Sequence, residues 1–386
     1  MLPERFVEGY DYLVRILHVE AGRTMLGGAN QVRALVRGLR ERGVENVLVC
    51  PPGDVAGMQI RGLRFSAGFA GQGESAWVRP RRDGTIVLPM GGDLDIGLAR
   101  RLRAVFRSVR PDIVHVHSRR GADLYAGLAC LAEGLPAVLT RRVDSPEPSF
   151  WARFKYRPYR AIVAISRAVE AQLTGGAGLD RTRVRRIPSA VNPHEFLPDR
   201  TARARLRAEF ALPEDAFVAA VSAQLIKRKG HDVLLACLPQ LVQRHPELRV
   251  VCFGDGPLRR RLRRRIGALG LGGHVKLAGF RRDLPSLLPG VDVLVHPARR
   301  EGLGVALLEA MSSGVPVVAS AVGGIVDVVE TEVEGLLVPP DDPAELGVAL
   351  ERIIGDPRLR KRIGIAGRAR VQREFSVELM LSLIHI

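Results

Sequence analysis

Apolar positions along the chain fall into two successive series of short runs and helical stripes. Leu13 to Val19 reads as a buried parallel strand, and the loop after it carries Gly22, Gly27 and Gly28. From Ala29 to Arg42 apolar residues recur at helical spacing (Val32, Leu35, Val36, Leu39), and Gly43 closes that helix. Val47 to Cys50 is the next strand. The pattern recurs with strands at Asp112–His117, Ala137–Thr140 and Ala161–Ile165, a helix over Ala122–Leu131, and Ser166 placed to cap a further helix. Strands alternating with helices predict a doubly wound, α/β parallel sheet.

Around Pro188 to Pro198 (PSAVNPHEFLP) the alternation gives way to a proline-rich extended stretch, read as an interdomain linker. A second series follows, with strands at 217–222, 249–253, 275–277, 291–295, 315–319 and 335–338 and helices near 231–243, 257–269, 304–313 and 343–354. The expected organisation is an N-terminal Rossmann-like domain over 1–190, a second over 191–375, and a terminal segment over 376–386. Two such domains make a cleft where ligands bind. The last six residues, LSLIHI, break the charged helical pattern of Pro357 to Glu374. They resemble a translated sequencing adapter, so the natural chain is expected to continue differently.

Length and composition agree with this plan. A chain of 386 residues exceeds what one core usually supports, and 46% hydrophobic with 26% charged residues is ordinary for a globular protein. No apolar run reaches the ~18 residues of a membrane span. Glu4, Glu8 and Asp11 precede the first apolar stretch, unlike a secretory signal, so a cytoplasmic protein is expected. Cys50, Cys130, Cys237 and Cys252 lie far apart in apolar contexts, which points to reduced, buried thiols. The formal charge of +17 comes from 53 arginines and five lysines. That excess must meet an anion, whether nucleic acid, an acidic membrane or a phosphorylated substrate.

The most informative stretch is Arg300 to Ser313 (REGLGVALLEAMSS). After a strand ending near His296-Pro297, Glu301 enters a glycine loop (Gly302, Leu303, Gly304) that opens a helix. Gly302 and Gly304 let backbone approach a ligand, and free N–H groups at a helix start favour an anion. Glu309 then sits among Val305, Leu307, Leu308, Ala310 and Met311, where a carboxylate is costly unless satisfied. Ribose hydroxyls would satisfy it; a polar helix face or a core arginine is the alternative. The loop Ser222 to Gly230 (SAQLIKRKG) brings Lys227, Arg228 and Lys229 to the end of a strand, where they meet a diphosphate or merely form a solvated basic turn. Gly27-Gly28 is a weak phosphate signal, without the G-x-G-x-x-G fingerprint. His115 and His117 share one strand face, with His117 at the carboxyl end, where either a structural or a site histidine fits.

Taken in order, LGGANQVRALVRGLRERG, DIVHVHS, AIS, the basic KG loop, FGDGP, LAGFRRDLP, EGLGVALLEAM and SGVPVVASAVGGIVDVV resemble the retaining family 4 glycosyltransferases from about residue 13 to about 375. The E-x7-E pair Glu301/Glu309 is the most specific part. The resemblance implies a GT-B fold, two facing Rossmann-like domains, and transfer from a nucleoside-diphosphate sugar without metal or other cofactor. It assigns Glu301 to donor-sugar hydroxyls, backbone N–H of Leu303, Gly304 and Val305 to sugar or diphosphate, and Glu309 to the ribose. Lys229 would neutralise the diphosphate, and Phe280 and Arg281 would edge the base by their backbone. Gly28 would face the phosphate and His117 the reacting sugar. Many relatives carry an arginine where this chain has Gln224, so one diphosphate charge is absent or replaced by Lys227 or Arg228.

Other readings compete. Asp93-Leu94-Asp95 matches the Asp-x-Asp of metal-dependent transferases, but helix capping and a first-turn position explain both aspartates. A nicotinamide dehydrogenase would need the missing glycine fingerprint. A non-enzymatic protein binding nucleic acid or an anionic surface draws on Arg259–Arg265, yet those arginines look like a solvated helix face and no nucleic-acid motif accompanies them. The basic aromatic stretch Trp151–Arg160 (WARFKYRPYR) and the helix Leu98–Arg110 suggest docking on an anionic membrane. An ordinary arginine-rich surface is the plainer account. The partners expected are thus a nucleotide sugar, a glycan or lipid-linked acceptor of envelope or lipopolysaccharide synthesis, and the inner membrane face, with no nucleic acid.

Overall fold

The computed structural model describes residues 14–24, 27–53, 84–117 and 121–384. Glu4, Glu8, Asp11, Leu13, Leu26, Ser118, His385 and Ile386, which the sequence reading used, lie outside them. The chain divides into two compact units. One comprises 1–141, 147–163 and 177–185; the other comprises 142–146, 164–176 and 186–386.

The first unit runs β1 (Arg15–Val19), α1 (Gly27–Glu41), β2 (Glu45–Cys50), β3 (Thr85–Val87), α2 (Leu98–Val109), β4 (Ile113–Val116), α3 (Ala122–Glu133), β5 (Ala137–Arg141), α4 (Ser149–Tyr156) and β6 (Ala161–Ala164). After α5 (Arg167–Ala171), which belongs to the second unit, β7 (Val184–Arg186) completes a seven-stranded sheet of order β3-β2-β1-β4-β5-β6-β7. β1 pairs in parallel with β2 and with β4, placing His18 beside Leu48 and His115. The hydrophobic stripe of α1 (Val32, Val36) packs on Leu48 and Cys50 of the sheet.

The second unit follows the same logic: α6 (Ala202–Phe210), β8 (Phe217–Ser222), α7 (His231–Arg244), β9 (Leu248–Phe253), α8 (Arg259–Ala268), β10 (Val275–Gly279), α9 (Leu284–Leu287), β11 (Val293–His296), α10 (Val305–Ser312), β12 (Val317–Ser320), α11 (Ile325–Val328), β13 (Gly335–Val338), α12 (Pro343–Gly355), α13 (Pro357–Glu374) and α14 (Val377–Ile384). Its six strands are ordered β10-β9-β8-β11-β12-β13. The order reverses at β8/β11, the switch point outside whose carboxyl ends open α/β sheets hold ligands. Near-continuous apolar strands such as Phe217–Ser222 are buried, as a parallel sheet covered on both faces requires. Local signals set the long helices: Asp342 accepts from Ala344 and Glu345 N–H at 3.0 Å, Asp356 does the same for Arg358 and Leu359 at 2.9 Å, and proline fills the next position in each.

The structure qualifies several expectations. Residues 149–156 form a helix, because Ala152, Lys155 and Tyr156 recur at helical spacing on a buried side. The stretch Trp151–Arg160 is therefore not a uniform basic surface, since Lys155, Tyr156 and Tyr159 are interior. Leu381 to Ile384 belong to α14, a separate apolar helix after α13, with Met380 and Leu381 buried. Asp95 does not cap α2: Gly97 holds the cap position, and the Asp95 carboxylate accepts from Gly91 N–H at 2.7 Å and pairs with Arg101 at 2.5 Å.

Candidate functional site

In the second unit, β8 ends at Ser222 and the chain continues through Gln224 into a 3₁₀ turn, Lys227–Lys229. Gly230, at φ +67°, reverses the chain into α7. A Cβ on Gly230 would stand 1.7 Å from the carbonyl oxygen of Pro297, so this turn rests directly on the segment that follows β11. Further bonds stitch the two loops. Arg299 N–H donates to the Arg228 carbonyl at 2.8 Å, and its guanidinium reaches Asp232 at 2.7 Å and the Lys227 carbonyl at 3.0 Å.

That contact brings Lys229 to Glu301. The Lys229 ammonium donates to Glu301 Oε2, and His296 Nε2, at the end of β11, lies 2.9 Å from the same oxygen. Glu301 Oε1 accepts from Gly302 N–H at 3.2 Å. An ionised carboxylate only accepts, so His296 is the Nε2–H tautomer here. Burial pushes the Glu301 carboxyl up, but the Lys229 ammonium and His296 outweigh it and hold it well below the usual carboxylate range. Burial lowers the Lys229 pKa and the Glu301 charge opposes the shift. His296 and His231 are both lowered by burial, His231 to about 4, so each is a neutral imidazole. Neither ring nitrogen of buried His231 has a hydrogen-bond partner among the described residues.

After Glu301 the chain passes buried Gly302 and Leu303 to Gly304 (φ +96°), which starts α10 at Val305. Gly302 lies so close to the Arg142 carbonyl that a Cβ would fall 2.2 Å from it. Glu309 is half-buried on the accessible side of α10 with Val305, one turn earlier, while Leu307, Leu308, Ala310 and Met311 fill the core. Gln224 is half-buried just past β8. Phe280 is exposed just past β10, and the Arg281 guanidinium is held by Glu209 at 2.7 Å and Asp283 at 2.6 Å. A separate cavity of about 210 Å³ is lined by Ser166, Arg167, Leu303, Asp327 and Arg370; neither Lys229 nor Glu301 contributes to it.

In the first unit, Gly28 is the second residue of α1 and half-buried. His117, just past β4, is not an isolated histidine. Its Nε2 is 2.9 Å from His18 Nδ1, and His18 Nε2 is 2.9 Å from Asn46 Oδ1. Asn46 Nδ2 donates to the Val44 carbonyl at 2.8 Å, which fixes its oxygen toward His18. His18 must therefore carry its proton on Nε2 and accept at Nδ1, which makes His117 the Nε2–H donor. His115 and His117 rings lie 3.9 Å apart, and His115 Nε2 is 2.8 Å from Thr140 Oγ1. The ligand atoms of His18, His115 and His117 fall within 4.8 Å of one another, the one such metal-ligating group among the described residues. It contains no carboxylate, and the Asn46–His18–His117 bonds use both nitrogens of His18.

Four residues of these networks, His296, His231, His18 and Asn46, were not singled out from sequence. The available signal was positional: His296 ends a strand five residues before Glu301, and His231 opens the helix after the basic turn. The rival features resolve into structure. Of the run Arg259–Arg265, Leu262 is buried and the arginines line the outside of α8, while Arg103 and Arg107 of α2 pair with Glu133 at 2.7 and 2.9 Å.

Comparison with known proteins bears on family and fold. The model of "Glycosyltransferase Family 4" matches residues 26–195, and that of "Glycosyl transferases group 1" matches residues 202–370. Alpha-D-kanosaminyltransferase of Streptomyces kanamyceticus is 30% identical over 66% of this chain and 64% of its own length. A GDP-mannose-dependent alpha-(1-6)-phosphatidylinositol monomannoside mannosyltransferase of Mycolicibacterium smegmatis is 36% identical over 47% of this chain and 50% of its own. The chain thus spans between half and just under two-thirds of these curated relatives. Among solved structures, Anabaena HepE in complex with UDP and glucose superposes with a TM-score of 0.81 over 96% of this chain and 98% of its own, at 20% identity. WaaG, a glycosyltransferase involved in lipopolysaccharide biosynthesis, superposes at 0.71 over 95% and 98%, at 15% identity. Two Rossmann-like parallel sheets, this superposition and the two matched models make the fold GT-B, and the chain belongs to the family 4 glycosyltransferases.

Proposed function

We propose that this chain moves a sugar from a nucleoside-diphosphate sugar to an acceptor hydroxyl of a cell-envelope glycan such as lipopolysaccharide, with retention, without a metal ion, and at the inner face of the membrane. The observation that carries the reading is the buried Lys229–Glu301–His296 network beside the glycine turn into α10. Departure of a nucleoside diphosphate builds negative charge, and a fixed ammonium with helix-start N–H groups stabilises that charge without reorganising. In this reading Lys229 faces the diphosphate, with Lys227 or Arg228 covering for Gln224. Glu301 accepts from donor-sugar hydroxyls, N–H groups of Leu303, Gly304 and Val305 meet sugar or phosphate, and Glu309 takes the ribose. Phe280 and Arg281 edge the base, Gly28 meets phosphate, and His117 sits near the reacting sugar. Buried His231, with hydrogen-bonding capacity unused among the described residues, adds a further contact for a polar ligand.

The relatives support the class of donor: one is described as GDP-mannose-dependent, and HepE was solved with UDP and glucose. WaaG's description supports the envelope setting. The test is a panel of nucleotide sugars screened for thermal stabilisation and slow hydrolysis, repeated with Glu309→Ala. A donor that raises Tm only when Glu309 is present supports the reading. No response to any nucleotide sugar, or a response indifferent to Glu309, overturns it.

A further inference from the structure

Helix α4 has two sides of opposite character. Its inner side is locked by charge. The Lys155 ammonium, 5% exposed, donates to Asp123 at 2.9 Å and to Glu147 at 2.6 Å. Glu147 also accepts from Tyr156 at 2.7 Å and from Arg141 at 3.2 Å. Ala152 and Tyr156 are fully buried beside them. The helix cannot roll without breaking these pairs, so its outer side is held toward solvent. There Phe150 is 78% exposed, Phe154 54% and Trp151 39%, with the Trp151 and Phe154 rings 5.7 Å apart. Arg153 and Arg157 are exposed among them, and α4 carries no carboxylate.

A second exposed apolar element lies in the same unit. Leu94 and Ile96, in the loop before α2, are 93% and 81% exposed. That loop is tied to α3 by Tyr125, whose hydroxyl donates to the Asp93 carbonyl at 2.9 Å; α3 also supplies the Asp123 that holds Lys155. Loop and α4 are thus both tied to the first turn of α3. Asp93 is exposed here, while Asp95 is neutralised by Arg101. Three exposed aromatic side chains on one helix, with two more exposed apolar residues on a loop anchored to the same turn of α3, mark an interaction face.

We propose that the outer side of α4 with the 94–96 loop is a docking face for an anionic lipid bilayer, the aromatic rings entering the headgroup–acyl boundary and Arg153 and Arg157 pairing with lipid phosphates. The inference rests on the membrane setting of the proposed function and specifies where contact is made. Aromatic rings mixed with uncompensated arginines are what an interface between headgroups and acyl chains selects. A second copy fits less well, because a two-fold contact would press the arginine-bearing surface against itself.

The experiment is flotation of the full chain with phosphatidylcholine vesicles and with vesicles that also contain phosphatidylglycerol. The variants are Phe150→Ser/Phe154→Ser and Arg153→Gln/Arg157→Gln. All four side chains point away from the Lys155 network, so both variants should keep the parent Tm. The parent chain should float only with phosphatidylglycerol; the arginine variant should partition about 30-fold more weakly, about fivefold per charge removed. The phenylalanine variant should stay at the bottom. Flotation of either variant at the parent level, or of the parent equally with both vesicles, overturns the proposal. So does a concentration-dependent dimer that the phenylalanine variant abolishes, which would make a second copy the occupant. Nucleotide-sugar hydrolysis is followed on the same samples. A chain that hydrolyses donor but does not float loses only the docking face; one that floats without donor chemistry loses the functional reading.

Discussion

Lys229→Met separates what the Lys229–Glu301 pair does for the fold from what it does for a donor. The two side chains are 11% and 12% exposed, and Glu301 keeps only His296 and Gly302 N–H when the ammonium is gone. Breaking a buried pair from one side costs about 3–5 kcal/mol, and partial exposure puts this pair near about 3 kcal/mol. For a unit of roughly 200 residues that corresponds to a fall of about 6–12 °C in its Tm. The double variant Lys229→Met/Glu301→Gln removes the orphaned charge and should return to within about 1–2 kcal/mol of the parent chain. Turnover behaves otherwise: with the cation absent, both variants should lose about 100-fold or more in nucleotide-sugar hydrolysis. Calorimetry is the readout, because no tryptophan falls among the residues of this unit and intrinsic fluorescence would not report on it. A double variant as unstable as Lys229→Met would refute the ion-pair argument. A double variant that regains turnover would refute the electrostatic role of Lys229.

The depressed Glu301 carboxyl makes its stabilisation present above the unfolded glutamate value of about 4.3 and lost as pH falls through the lower folded value. Urea titrations should show the parent chain's advantage over Glu301→Gln constant above about pH 5 and shrinking below about pH 4. Gly230→Ala forces a Cβ onto the Pro297 oxygen at positive φ; a Tm loss worth about 2 kcal/mol or more is expected, and an unchanged Tm would deny the close approach. Asn46→Leu removes the acceptor that sets the proton on His18, so ¹⁵N spectra should move His117 from a single Nε2–H tautomer to a mixture, and an unaltered spectrum would disprove the relay. Donor hydrolysis should survive both a chelator and Asp93→Ala, whereas loss with either would bring the Asp-x-Asp reading back.

Much of the architecture could be read from apolar spacing alone. The strands of the second unit appeared within two or three residues of their ends, because buried parallel strands are unbroken apolar runs bounded by loops. Helix α4 escaped because its stripe is built from Lys155 and Tyr156, polar residues whose burial depends on Asp123 and Glu147, the former 32 residues away. The three-residue strands β3 and β7 are too short to carry a period. At the site, Glu301, Glu309 and the glycine turn stood out as a local pattern. His296 and His231 did not, because their importance comes from Gly230 resting on Pro297, a contact between segments about 67 residues apart. The Asn46–His18–His117 chain likewise needs three different strand regions to be side by side.

The second unit draws residues 142–146 and 164–176 out of the middle of the first. These short excursions are structural parts of the second unit: the Arg142 carbonyl backs Gly302, Ser166 lies where a Cβ on Gly324 would strike it, and Arg167 pairs with Asp327 at 2.7 Å. A gene cut near residue 190 would deliver a C-terminal fragment whose glycine turn lacks its backing. Chimaeras between relatives should accordingly graft these two excursions together with the C-terminal half, so that recombination follows the spatial division and not the linear one.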